Sequence, residues 1–331
     1  MLRTVAAALL GVTLSVTAPF AAAQTVIKIG SPSVNDTIHH WMQSYKAAVE
    51  QAAPGRLSVE IYPASQLGPV PRMIEGAQLG SIEMVIVPAD FLGGVDRRLT
   101  VVGAPGVFKD QMQGFKTMHD PEFVQPYASA AAAKGLHLLG SNCDSYSTFA
   151  FRTPVATLND FSGKKIRILG SGFETEMLRR MKASPVVMTL GEVPTALQQG
   201  VLDGSKSGLV VFPAQKYQSV ARYLVGTQES LLCTVKFASK AWFDKLPADL
   251  QKVLQEQAAR VDVEEQNFAI EFTRSAMRQW QDGGGVVTEW SGEDRAEFAK
   301  RLQSVAEDVA TKDASLRDIY SVMKRIAKKF E

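Results

Sequence analysis

Cysteine and histidine are scarce in this chain of 331 residues, with two of the first and four of the second. Cys143 and Cys233 stand far apart, and neither belongs to a C-x-x-C pair, so they form neither a zinc knuckle nor a dithiol redox motif. The histidines (His39, His40, His119 and His137) show no H-E-x-x-H spacing. His39 and His40 are adjacent, so on a helix their rings diverge by about 100°, which suits caps or surface better than one metal. An excess of one charge is missing too: 36 Lys and Arg face 34 Asp and Glu, a net charge of +2. The basic residues form no dense stripe, which argues against a nucleic-acid partner.

Long apolar runs are absent beyond the N-terminus. There, Arg3 precedes the run VAAALLGVTLSV, followed by Pro19 and a small-residue stretch ending at Ala23. This is the pattern of a secretory signal peptide over residues 1–23, and the run is short for a membrane span. The expected location is the periplasm. That compartment permits a disulfide, but the reading here is two separately buried thiols, with a bridge as the alternative. The remaining length suggests two domains.

Enzyme signatures are lacking as well. Ser162-Gly163-Lys164-Lys165 matches S-x-x-K, but its companions S-D-N and K-T-G are missing. Gly170-Ser171-Gly172 begins like a dinucleotide loop without its third glycine. No G-x-S-x-G elbow and no phosphate-binding loop occur.

What is present is a repeated β-α grammar. TVIKIG, LSVEIYP and SIEMVIVP read as strands, separated by a helix from Thr37 capped by Asp36 and a second helix over 73–79. That order implies a parallel sheet with ligand sites at the strands' carboxyl ends. LHLLGSN and YSTFAFR read as two further strands, then KKIRIL, VVMTL, SKSGLVV and LLCTVKFAS, with helices at GFETEMLRRMK and VPTALQQG. From Pro247 to Asp282 no glycine interrupts an apolar face at helical spacing, which predicts one helix of about 35 residues, roughly 50 Å long. GVVTEW reads as a last strand, and the segment from Ser291 as helical.

Arg167 falls inside the strand KKIRIL, where an unpaired charge is costly, so it needs an anion. The anion is either a ligand or an internal acid such as Asp203 or Glu192.

YPASQLG (62–68), KKIRIL (164–169) and EVPTALQQGVLDG (192–204) occur in the order and at about the spacings of the signature blocks of DctP-type proteins. Across essentially the whole mature chain the sequence resembles this family, the periplasmic solute-binding proteins of TRAP transporters. The resemblance implies an α/β, two-lobed periplasmic binding protein fold with a long helix spanning both lobes. Lobe one is expected over 24–145 and 233–270, and lobe two over 146–232 and 271–331. It also implies capture of an organic acid without enzymatic turnover. Delivery would be to a small and a large membrane subunit driven by an ion gradient, with the binding protein as a monomer. A sensor feeding a receptor and, more remotely, a periplasmic hydrolase are the alternatives.

In the family, the arginine of the K-x-R strand forms a bidentate salt bridge with the ligand carboxylate, and Arg167 holds that position. This chain departs elsewhere. Ser147 stands where many members carry a second arginine, Ser207 where asparagine is common (DGSKSG in place of D-G-x-E-N), and Leu190 near a frequent aromatic. With one cation left, the expected ligand is a monocarboxylate. Pro88, Leu190 and Phe212 are expected on its apolar side, and Ser147, Tyr146, Ser207 and Asn142 at its polar groups. Some members hold a metal through a W-E type pair. Here Thr227-Gln228-Glu229 stands without tryptophan, so neither metal nor cofactor is expected.

Overall fold

The computed structural model describes residues 24–331, so the signal segment lies outside the described residues. Strand β1 (Thr25–Gly30), helix α1 (Thr37–Ala52), β2 (Leu57–Tyr62), α2 (Val70–Leu79) and β3 (Met84–Pro88) follow the expected order. The side chain of Asp36 caps α1 by accepting from the His39 amide at 3.2 Å. β1 pairs in parallel with β2 and β3. Two 3₁₀ segments, Ala89–Gly94 and Arg97–Gly103, lead to α3 (Gln111–His119) and α4 (Pro121–Ala132).

The next strand, β4 (Leu136–Phe151), is one continuous element of 16 residues where two were expected. Register shifts between Leu138 and Gly140 and between Cys143 and Ser145 let it bend without breaking. Its first part pairs with β9 and its last part with β7 and β8, so it runs from one half of the molecule into the other.

The second half contains β5 (Lys165–Ile168), α5 (Gly172–Arg180), β6 (Ser184–Val187), α6 (Val193–Gln198), β7 (Gly204–Gly208), α7 (Val211–Ala214) and β8 (Tyr223–Val225). β9 (Leu231–Ser239) returns to the first half, followed by α8 (Lys240–Phe243) and α9 (Ala248–Asp282). The chain ends with β10 (Val286–Thr288), α10 (Gly292–Leu302), α11 (Val305–Ala310) and α12 (Ala314–Ala327). The strand order is β2-β1-β3-β9-β4-β7-β5-β6, with β8 on β4 and β10 on β8.

The single helix foreseen after Pro247 is α9, 35 residues long. Leu250, Leu254, Ala258 and Val261 pack with Trp41 and Tyr45 of the first half. Ala276 and Trp280 pack with Phe212 and Tyr217 of the second. One rigid rod thus belongs to both cores, and the architecture is two-lobed α/β. Helix α12 lies against α3, α4 and the 97–103 segment, so the chain's last turns return to the first half.

The cysteines are not separate thiols. Cys143 and Cys233 form a disulfide with Cα atoms 4.0 Å apart. Their separation of 90 residues hides the fact that β4 and β9 are antiparallel neighbours with these two residues in direct register. That register depends on pairing between distant segments and has no local sequence signal.

Candidate functional site

Alternation on β5 buries Ile166 and Ile168 with Met177 and Leu178 of α5, so Arg167 emerges on the other face of the sheet. Arg167 pairs in register with Ser205, and Ser207 with Thr148, which places these four side chains on one face. Lys206 and Ser147 occupy the opposite face: Lys206 Nζ donates to Ser147 Oγ at 3.1 Å.

Arg167 is only 1% exposed. Its Nε donates to the Met188 carbonyl at 2.8 Å and its Nη1 to the Lys206 carbonyl at 3.1 Å. The Phe91 ring, on the 3₁₀ segment that follows β3, lies 5.6 Å from the guanidinium carbon. Burial lowers the Arg167 pKa, against the opposing pull of Tyr217 and Glu174. Neither internal acid considered from the sequence pairs with it. Asp203 accepts from the Lys165 amide at 2.8 Å, and Glu192 is held in a capping box with Thr189. Among the described residues no carboxylate lies within 4.0 Å of Arg167, although ion pairs of that length occur throughout the molecule.

Lys206 is the contrasting case. It is 2% exposed on its side chain, with Glu174 at 3.6 Å and Glu229 at 3.8 Å. Burial opposes its charge, but Glu174, Glu229 and Asp90 outweigh burial and raise its pKa. Glu174 closes the β5–α5 turn: its Oε2 accepts from the amides of Leu169, Gly170 and Ser171 at 3.1, 2.9 and 3.1 Å. Asp90 is pushed up to about 7, first by burial and then by Glu174. The two halves approach closely here. A Cβ on Gly93 would stand 2.9 Å from the Gly170 carbonyl oxygen, so only glycine fits without a shift.

The remaining sequence candidates divide into two groups. Leu190 and Phe212 lie in the core on Arg167's face, where Phe212 meets Tyr217 and Trp280 edge-on at 5.3 and 6.2 Å between ring centroids. Ser207 is buried beside them, and Pro88 ends β3 just before Phe91. The others face elsewhere. Ser147 is turned to Lys206, and the Tyr146 hydroxyl donates to the Lys109 carbonyl at 3.1 Å. Tyr146, Ser147 and Thr148 help line a cavity of about 520 Å³ beside α9. Asn142 is tied to α9 by donating to the Asp262 carbonyl at 2.8 Å, and it accepts from Lys236. Sequence reasoning missed Phe91, whose approach requires the two halves to come together. It also missed Lys206, although a lysine inside the five-residue strand GSKSG was a readable signal.

Comparison with known proteins agrees with this architecture. The chain matches DctP, bacterial extracellular solute-binding protein family 7, over residues 30–313. It is 27% identical over 314 residues to the C4-dicarboxylate-binding periplasmic protein DctP of Rhodobacter capsulatus, covering 93% of this chain and 94% of that one. A TRAP periplasmic solute-binding protein from Haemophilus influenzae with bound L-gulonate superposes with a TM-score of 0.86 at 20% identity, over 92% of this chain and all of that one (100%). One from Shewanella oneidensis with bound succinate gives 0.84 at 22% identity, with the same coverage. No helix among the described residues is long and apolar enough to cross a membrane. The family match covers most of the chain and includes every element that carries Arg167 and its neighbours, so this chain belongs to the DctP family, the periplasmic solute-binding components of TRAP transporters, which are not enzymes.

Proposed function

We propose that this protein captures a monocarboxylate through a salt bridge to Arg167 and passes it, as a monomer, to the small and large TRAP membrane subunits. The observation that carries this reading is a buried guanidinium that meets two backbone carbonyls and one aromatic ring, but no acid among the described residues. A planar, permanently charged fork matches a carboxylate. Arrival of the anion offsets the cost of burying the cation, so ligand favours the closed arrangement with Phe91 over Arg167. The likeness to proteins holding L-gulonate and succinate supports an organic acid. A single carboxylate is favoured because Ser205, Ser207 and Thr148, which share Arg167's face, carry no charge. Lys206, on the opposite face, is already matched by Glu174 and Glu229.

The lobes are assigned to 24–145 with 233–270 and to 146–232 with 271–331, with α12 strapped back onto the first. Thermal-shift and calorimetric screening against organic acids tests the site. A ligand at one hundred times its Kd stabilises by about 2.7 kcal/mol. Arg167→Ala is expected to abolish that shift, and Arg167→Lys to weaken it. Full affinity in Arg167→Ala, or much tighter binding of dicarboxylates than of monocarboxylates, overturns the reading.

A further inference from the structure

A second set of buried charges lies where β1, α1, β4, β9 and α9 meet, and its balance is the reverse of that around Arg167. It contains Asp36, Asp144, Asp262 and Glu265, with Lys236 as the buried cation. His39, His40 and His119 border it.

Asp262 is fully occupied. It pairs with Lys236 at 3.0 Å and accepts from Trp41 Nε1 at 2.7 Å and from the Ser141 amide at 2.9 Å. His119 stands 3.5 Å away. Glu265 contacts His40 at 2.6 Å, and burial, followed by its acidic neighbours, pushes its pKa up to about 9, so it is neutral at neutral pH.

Asp36 and Asp144 are left. Burial raises both, Asp144 to about 6, which leaves Asp144 mostly ionised at neutral pH. Neither has an ion-pair partner within 4.0 Å among the described residues, and one oxygen of each, Oδ2, is buried without a hydrogen bond. The hydroxyls of Ser33 and Ser145 are also buried and unpartnered. Four polar atoms are thus unmet beside two buried carboxyl groups, and the charges that act on them, Lys236 on Asp144 and His39 on Asp36, are not within 4.0 Å ion-pair distance among the described residues. A hydroxyl or a water satisfies a hydrogen bond but does not neutralise a buried charge. Among the described residues, no group of three or more His, Cys, Asp or Glu is placed to hold a metal ion.

Ser33 and Asp36 lie on the loop at the carboxyl end of β1, the edge where α/β sheets bind ligands. That loop already meets the other lobe, since Gln215 Nε2 donates to the Val34 carbonyl at 2.8 Å. Ser145 connects the cluster to β7, since a Cβ on Gly208 would stand 2.6 Å from Ser145 Oγ.

We propose that Asp36 and Asp144, with the hydroxyls of Ser33 and Ser145, form an ammonium-binding subsite, so that the ligand is a zwitterion carrying an amine at a distance from its carboxylate. This rests on the assignment of Arg167 to that carboxylate. An ammonium supplies three donors and one positive charge to acceptors that lack both.

The test uses the mature protein and isothermal titration with amino carboxylates of graded chain length, the matched carboxylates without the amine, hydroxy acids of the same length, and simple alkylamines. Amino carboxylates of one length are expected to bind at least about tenfold more tightly than both matched series, the size of one lost charged hydrogen bond. Asp144→Asn and Asp36→Asn, which keep shape and, at Asp36, the helix cap, are expected to remove that preference without changing the weak binding of plain carboxylates. Circular dichroism confirms that each variant is folded. Equal binding of the amine-free or hydroxy acids, with Arg167→Ala still abolishing it, overturns the ammonium subsite and leaves the arginine assignment standing. Alkylamine binding that depends on Asp144 and is indifferent to Arg167→Ala supports the subsite, and amino-carboxylate binding that is equally indifferent to Arg167→Ala overturns the arginine assignment. No binding anywhere in the series overturns both.

Discussion

Two buried cations sit back to back on the same small half-sheet, and their surroundings are opposites. Lys206 faces α5 with Glu174 and Glu229 within 4 Å, and its amine also reaches Ser147. Arg167, one strand away and on the other face, has only carbonyl oxygens and a phenyl ring. The first arrangement is closed and holds the turn between β5 and α5 in place. The second lacks an anion that the fold does not supply. Burial alone therefore does not distinguish the two cations; the presence or absence of a matching acid does.

The sharpest way to break this comparison is to make the same change at both sites. Lys206→Met leaves Glu174 and Glu229 buried without their cation and is expected to cost about 3–5 kcal/mol of stability in urea unfolding. Arg167→Met removes a desolvated charge with no acidic partner and is expected to change ligand-free stability by less than about 1 kcal/mol, in either direction, while eliminating ligand-induced stabilisation. Equal losses at the two sites would mean that Arg167 is also structural.

Much of this was legible in the sequence, for a physical reason. Strand alternation and helix caps are local, so β1, α1, β9 and the 35 residues of α9 were readable in order. Arg167 was readable because a charge inside an apolar strand is conspicuous. The two expected strands, 136–142 and 146–152, merged because the residues between them, Cys143 to Ser145, form a bulge that continues the ladder rather than a turn that ends it. Phe91, Asp36 and Asp144 take their meaning from the approach of distant loops, which local patterns do not encode. Ser147 shows how the pleat decides such questions: it is adjacent in sequence to Thr148, but only Thr148 shares Arg167's face.

The disulfide asks whether the comparison depends on a fixed crossing between the lobes. It joins two neighbouring strands across a gap of 90 residues, so its loss is expected to cost about 2–4 kcal/mol. A Cys143→Ser, Cys233→Ser double variant, kept double so that no single thiol is left over, should show that drop in denaturant unfolding. It should keep an Arg167-dependent ligand shift. Loss of the shift in a folded protein would mean that the spacing of the two faces is set by the bridge.

Asp90 sharpens the comparison through pH. It acts on the Lys206 cluster from the 3₁₀ segment after β3, and its pKa is raised from an ordinary value near 3.8 to about 7. The folded protein therefore holds a proton there that the unfolded chain releases. Below about pH 4 both states are protonated and Asp90 costs nothing. Between about pH 4 and 7 stability falls by at most about 1.4 kcal/mol per pH unit from this group, and above that range the loss is complete. Asp90→Asn should flatten this part of the stability profile measured by urea unfolding. A profile unchanged by the substitution would show that Lys206 and its solvation already neutralise Asp90.

The smallest effect separates the closed cluster from the proposed site at Arg167 most cleanly. Ser171 caps α5 by accepting from the Glu174 amide at 3.2 Å, while Glu174 bonds back to the Ser171 amide at 3.1 Å. Ser171→Ala removes one half of that reciprocal pair and is expected to cost about 1 kcal/mol. Because the cap belongs to the turn that orients Glu174 toward Lys206, the loss should appear in ligand-free unfolding, with Kd changed less than about twofold. A large change in Kd with little loss of stability would instead make Glu174 and its turn part of the surface that recognises the ligand, and would join the two faces into one site.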